Sequence, residues 1–160
     1  MDVADYEATL RRFHATLAGA RPSGFIGSST FRVGDGYSDW YLVENSAALD
    51  VLNEAAVSGA RTTVHDAAAR MAIDGVGKLF SLAGGVTSSG SGFEIRFSKP
   101  AGMSYADLYG RMQPIASRPG SSLWRRMMVL GPPPEFCLVA PTATELPSEF
   151  RPELLRREPI

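Results

Sequence analysis

The chain has 160 residues, of which 44% are apolar and 21% charged, with a net charge of −1. That is enough apolar material for one compact core, and it leaves no basic field for a phosphate backbone, which argues against nucleic acid as a partner. A single cysteine, Cys137, rules out an internal disulfide and a site built from several thiolates, and points to a reducing compartment. The opening MDVADYEATL lacks the basic and apolar segments of a secretory leader. No apolar run approaches the roughly 20 residues that span a bilayer. These features predict a cytoplasmic protein with no membrane partner.

In chain order, Val3, Tyr6, Leu10, Phe13 and Leu17 recur at three- and four-residue steps, predicting a helix over Val3–Ala18. Asp2 can cap it, and Gly19 and Pro22 stop it. Phe25–Val33 and Asp39–Glu44 read as strands of a hairpin turning at Gly34-Asp35-Gly36. Ser46–Val57 reads as a helix. Thr62 or Thr63 caps a third helix reaching Ile73, with His65 and Asp66 in its first turn. Gly75–Gly85 reads as a short strand between glycines, and Thr87–Gly92 as a flexible joint.

Phe93–Ser98 alternates apolar and charged residues, as a strand does. Ser104 and Asp107 form a capping-box pattern for a helix from Tyr105 to about Gln113, ended by Pro114 and Pro119. A second hairpin follows over Leu123–Pro141. The tail after Pro141 is rich in proline and reads as surface chain with a helical turn near Glu153–Arg157. The domain organisation predicted is a single domain with repeat halves of about 1–86 and 92–141 and a surface tail, 142–160.

The halves come from an internal repeat. A helix aligned at Tyr6 and at Tyr105 is followed by an Arg-Pro step, Arg21-Pro22 and Arg118-Pro119. Each first hairpin strand ends in an aliphatic residue and glycine, Val33-Gly34 and Leu130-Gly131. Each second strand starts with an acid and an aromatic, Asp39-Trp40 and Glu135-Phe136. A repeated unit with one apolar sheet face cannot bury that face alone. The class predicted is α+β, with antiparallel sheets and helices packed on one face.

On this element order, residues 3–140 resemble the dimeric α/β-barrel superfamily, in which two ferredoxin-like units face each other through their sheets. The resemblance implies a tandem pseudo-dimer, a pseudo-two-fold α/β barrel supplied by one chain, although the first half lacks its first strand. Members include cofactor-free monooxygenases, haem enzymes, isomerases and ligand-binding proteins, so the resemblance leaves function open.

Gly75-Val76-Gly77-Lys78 imitates a phosphate loop but has Leu79 where a hydroxyl is required. Of the two histidines, His14 beside Phe13 reads as a partly buried structural residue, and His65 at a helix start as either a solvent-facing first-turn residue or a neutral base or metal ligand. Neither has the spacing of a metal site. Arg125 and Arg126 sit mid-strand and point to opposite faces, so one arginine lies among apolar side chains. It either pairs with Glu135, Asp39 or Glu44, or holds a ligand carboxylate or enolate oxygen. Trp40, Tyr41, Trp124 and Phe136, with Arg125, are the candidate pocket lining, weighed against simple core packing. Cys137 reads as an inert buried thiol.

These residues predict a pocket between the halves for a small apolar organic ligand. If there is catalysis, it is cofactor-free oxygenase or isomerase chemistry, with His65 as general base and Arg126 as anion stabiliser. No cofactor or metal is called for. The alternatives are a non-catalytic self-association module, such as a homodimer, and a haem-binding protein with one histidine ligand.

Overall fold

The computed structural model describes residues 2–59, 61–128 and 131–160. The first part of the chain supplies α1 (Val3–Ala20), β1 (Phe25–Val33), β2 (Gly36–Val43), α2 (Ala48–Val57) and α3 (Arg61–Ala69). The rest supplies β3 (Phe80–Gly85), β4 (Gly92–Phe97), α4 (Tyr105–Ala116), β5 (Ser122–Arg126), β6 (Phe136–Ala140) and β7 (Glu153–Pro159), with a 3-10 turn at Ser148–Phe150. The class is α+β, as expected. The strands are hydrogen-bonded in the order β2-β1-β7-β4-β6-β5-β3. Among the described residues no helix is long and apolar enough to cross a membrane. Contacts divide the chain into two compact units: Met1–Phe31 with Tyr37–Val76 and Ile160, and Arg32–Gly36 with Gly77–Pro159.

In the first unit, Asp2 caps α1 by accepting the Ala4 N–H at 2.9 Å, and Leu10, Phe13 and Leu17 are buried. The helix runs through Gly19 to Ala20, past the expected end at Ala18, and Arg21, ahead of Pro22, caps it with a left-handed φ of 44°. The hairpin closes where the Glu44 N–H donates to the Gly24 carbonyl. Helix α3 starts at Arg61 and stops at Ala69, short of the expected Ile73. Thr62 does not cap it. Its hydroxyl donates to the Val57 carbonyl at 2.6 Å, satisfying the end of α2 instead. His65 is therefore the fifth residue of α3 and lies beyond the first turn where it was expected.

In the second unit, Ser104 caps α4 by accepting the Asp107 N–H at 3.0 Å, as the capping box predicts. The helix runs through Pro114 to Ala116. Pro114 forfeits one backbone bond, but Met112 and Ala116, 1% and 3% exposed, anchor the last turn in the core. Helix α4 links β4 to β5, which lie on either side of β6. All four β-pairings around them are antiparallel. The core joins Ile95 and Phe97 of β4, Leu108 and Met112 of α4, Leu123, Phe136 and Leu138 of the sheet, and Leu146 and Phe150. Gly85 takes a φ of +78°, and a Cβ there would collide with the carbonyl oxygens of Ser121 and Ala116, so only glycine fits.

The expected strand over Gly75–Gly85 is confined to Phe80–Gly85. The larger correction is the tail. Glu153–Pro159 is no helical turn on the surface but strand β7, paired along β4 from Gly92↔Arg157 to Arg96↔Glu153. Phe150, 1% exposed, seals the core ahead of it. An open β4 edge offers a full ladder of backbone bonds, which overrides the helix propensity of Glu-Leu-Leu-Arg-Arg. Strand β5 ends at Arg126, so Arg125 and Arg126 lie at its end, not mid-strand. Val129 and Leu130, expected to extend it, fall outside the described residues.

Candidate functional site

The odd residues of β4 enter the core beneath α4, so Glu94 and Arg96 face the other way. On that helix-free face the register sets five side chains in one row across five strands: Leu82, Trp124, Cys137, Arg96 and Glu153. Trp124 is 8% exposed and donates its indole N–H to Ser122 Oγ at 2.9 Å. Glu94, 1% exposed, accepts from Arg96 Nη2 at 2.9 Å and Nε at 3.3 Å. Arg157, 2% exposed, joins them. Burial lowers its pKa from the usual arginine value, and the Glu94 charge opposes that.

Two further cations stand at the end of the row. Arg126 lies opposite Phe80 on the same face, and Lys78 reaches in just ahead of β3. Lys78 Nζ donates to the Pro133 carbonyl at 2.8 Å. Burial lowers the lysine pKa, reinforced by Arg96 and Arg126, with Cys137 and Glu153 opposing. Burial also pushes the Cys137 thiol up, so it is protonated at neutral pH, in keeping with an inert thiol. Among the described residues, the cations Lys78, Arg96, Arg126 and Arg157 share this face with the carboxylates Glu94 and Glu153.

The structure sorts the sequence candidates between faces. Arg126, as proposed anion stabiliser, donates through Nε to Met128 O and through Nη1 to Pro132 O, both at 2.6 Å, so it also clamps its own loop. Arg125 faces the α4 side. It sits 4.6 Å from the Tyr105 ring centre, with Nη1 3.5 Å from the Tyr109 hydroxyl. Tyr105 in turn donates to Glu135 at 2.5 Å. Phe136, expected as pocket lining, is fully buried and stacked on Phe97 at 5.3 Å. Core packing claims it, because its register position places it beneath α4.

In the first unit, Tyr41 stacks on the His14 imidazole at 5.3 Å between ring centres. His14 Nδ1 lies 2.7 Å from Ser28 Oγ, and Nε2 lies 2.6 Å from Thr30 Oγ1 and 3.7 Å from Asp39. This histidine latches α1 to the hairpin, as its structural reading predicts. Burial, helped by Asp39, holds the Tyr41 hydroxyl well above the usual tyrosine pKa. His65 meets Phe13 edge-on at 5.7 Å and has Asp66 at 3.3 Å. Trp40 donates to Ser38 Oγ at 3.1 Å, within its own strand.

Reasoning from sequence missed Lys78, Glu94, Arg96 and Arg157. The alternation of Phe93–Ser98 marked a strand and gave Glu94 and Arg96 no role of their own. The available signal was composition: only Lys78 and Lys99 are lysines among 16 basic side chains. Among the described residues no group of three or more His, Cys, Asp or Glu side chains could hold a metal. The chain matches no protein-family model, no curated protein and no solved structure.

Proposed function

We propose that the protein binds a small, largely apolar organic molecule bearing one anionic group, on the helix-free face of the second unit. The observation that supports this is the Leu82–Trp124–Cys137–Arg96–Glu153 row, with Lys78 and Arg126 at its end. Lys78, Arg96 and Arg126 supply positive groups beside the apolar side chains of Leu82 and Trp124. An organic anion would neutralise the first and cover the second. Buried charges usually stabilise less than aliphatic side chains of equal volume, so keeping them here favours a role in recognition.

The tandem ferredoxin-like fold belongs to the same proposal. The order β7-β4-β6-β5, with α4 joining β4 to β5, is the strand order of a ferredoxin-like unit whose second helix is replaced by the 3-10 turn at Ser148–Phe150.

The test uses a Trp40→Phe background, in which Trp124 alone reports by fluorescence. Titration with 3-phenylpropanoate should give a saturable change that 3-phenylpropanamide does not. Identical curves for acid and amide, or no saturable change, would refute the reading.

A further inference from the structure

We propose that Ser28 is a nucleophile toward small carboxylic esters, with His14 as its general base and Asp39 positioning the imidazole. This site lies wholly in the first unit and owes nothing to the anion-binding face. His14 Nδ1 lies 2.7 Å from Ser28 Oγ, and Nε2 lies 2.6 Å from Thr30 Oγ1 and 3.7 Å from Asp39 Oδ1. A neutral imidazole carries one ring proton. The Asp39 carboxylate holds it on Nε2, where Thr30 Oγ1 also accepts it. The Nδ1 lone pair is then left to accept from the Ser28 hydroxyl, which is how a serine is made nucleophilic.

Burial tells the two hydroxyls apart. Ile26, Ser28 and Thr30 alternate onto one face of β1. Ile26 is 63% exposed, Ser28 half-buried and Thr30 only 6% exposed. Thr30 is thus sealed inside, whereas Ser28 lies toward the open end of the strand, where an ester can approach. Tyr41 stacks on the imidazole at an interplanar angle of 20° and keeps the ring in its plane.

The reaction balances with water as co-reactant. Ser28 Oγ passes its proton to Nδ1 and bonds to the ester carbonyl carbon as the π pair moves to oxygen. That pair returns and expels the alcohol, which takes the proton from Nδ1 and leaves the acyl group on Ser28. Water then adds to the acyl carbonyl while Nδ1 takes its proton. The proton returns to Ser28 Oγ as the carboxylic acid departs. In both additions the Asp39 charge stabilises the imidazolium through Nε2.

The folded protein is treated with diisopropyl fluorophosphate, which loses fluoride as a serine oxygen bonds to phosphorus, and the adduct is mapped by peptide mass. The expected adduct is at Ser28. Its formation should slow about 100-fold in His14→Ala and about tenfold in Asp39→Asn, and Asp39→Glu should restore most of the rate because it keeps the carboxylate. Hydrolysis of 4-nitrophenyl acetate should exceed that by the urea-unfolded chain and fall to that level in Ser28→Ala. Should His14→Ala fail to fold by circular dichroism, the two Asp39 variants decide. No adduct at Ser28, equal labelling of Ser28 in the unfolded chain, an Asp39→Asn rate equal to the parent's, or hydrolysis that survives Ser28→Ala would each overturn the proposal.

Discussion

Replacing Glu94 with Gln removes one negative charge and little else. The carboxylate is 1% exposed, receives two bonds from Arg96, and lies beside the buried Arg157. Breaking a buried pair from one side costs about 3–5 kcal/mol, because the partner charge stays in a poorly solvated place. Here the Arg96 side chain is 32% exposed and can recover some hydration, whereas Arg157, at 2% exposed, cannot. A loss of about 2–3 kcal/mol is therefore expected, a large part of the 5–15 kcal/mol typical of a domain. With a urea m-value of about 2 kcal/mol/M, the midpoint should fall by roughly 1–1.5 M.

Arg96→Met and the double variant complete the cycle. Arg96→Met alone should cost less, since Arg157 still compensates Glu94. The two losses should also fall short of additivity by about 1–2 kcal/mol. Equilibrium urea unfolding followed by circular dichroism measures all four proteins. A Glu94→Gln loss below about 1 kcal/mol would mean that the carboxylate is not an internal partner for the guanidiniums, and the account of this face would fail with it.

Phe150 is 1% exposed and meets Phe97 edge-on at 5.6 Å, so Phe150→Ala should lose about 3–5 kcal/mol in the same assay; a loss below about 1 kcal/mol would return the C-terminal segment to the surface. The raised Tyr41 pKa fixes the sign of an alkaline effect. Above about pH 10 the unfolded chain releases a phenolic proton that the native state retains. Stability from this group is complete below the unfolded pKa and declines as pH rises beyond it. Tyr41 is 37% exposed, so solvent screening keeps the effect small; Tyr41→Phe should slightly flatten the fall in stability between neutral and strongly alkaline solution, and a steeper fall would reverse the sign argued from Asp39.

What the sequence disclosed follows from where local rules govern. The spacing of Leu10, Phe13 and Leu17 and the Ser104-Asp107 cap are local devices, and α1 and α4 start where they predict. Strand β7 is not local. Glu-Leu-Leu-Arg-Arg-Glu prefers a helix by composition, and only the free edge of β4 makes it a strand. Pro114 misled for the same reason, since the burial of Ala116 outweighs one missing backbone bond. The site was less legible still. Arg125 and Arg126 are adjacent and identical, and no pattern says which one lies beneath α4. Lys78 resembled only a failed phosphate loop, because its relation to Arg96 depends on strands that pair across long stretches of chain.

Strand β4 lets stability and recognition be separated experimentally. Ile95 and Phe97 point into an apolar core that already has α4, Phe136 and Phe150 to seal it. Glu94 and Arg96, one position away, carry charge into the opposite face. A strand selected for stability alone would carry aliphatic residues on both sides when both are shielded. Substitutions at 95 and 97 should therefore change unfolding in proportion to the volume removed and leave the 3-phenylpropanoate affinity of the folded fraction unchanged. A substitution at 96 should move that affinity as well. If Ile95→Val shifted ligand affinity as far as Arg96→Met does, the two faces would not be independent, and the helix-free side would have no special claim to the ligand.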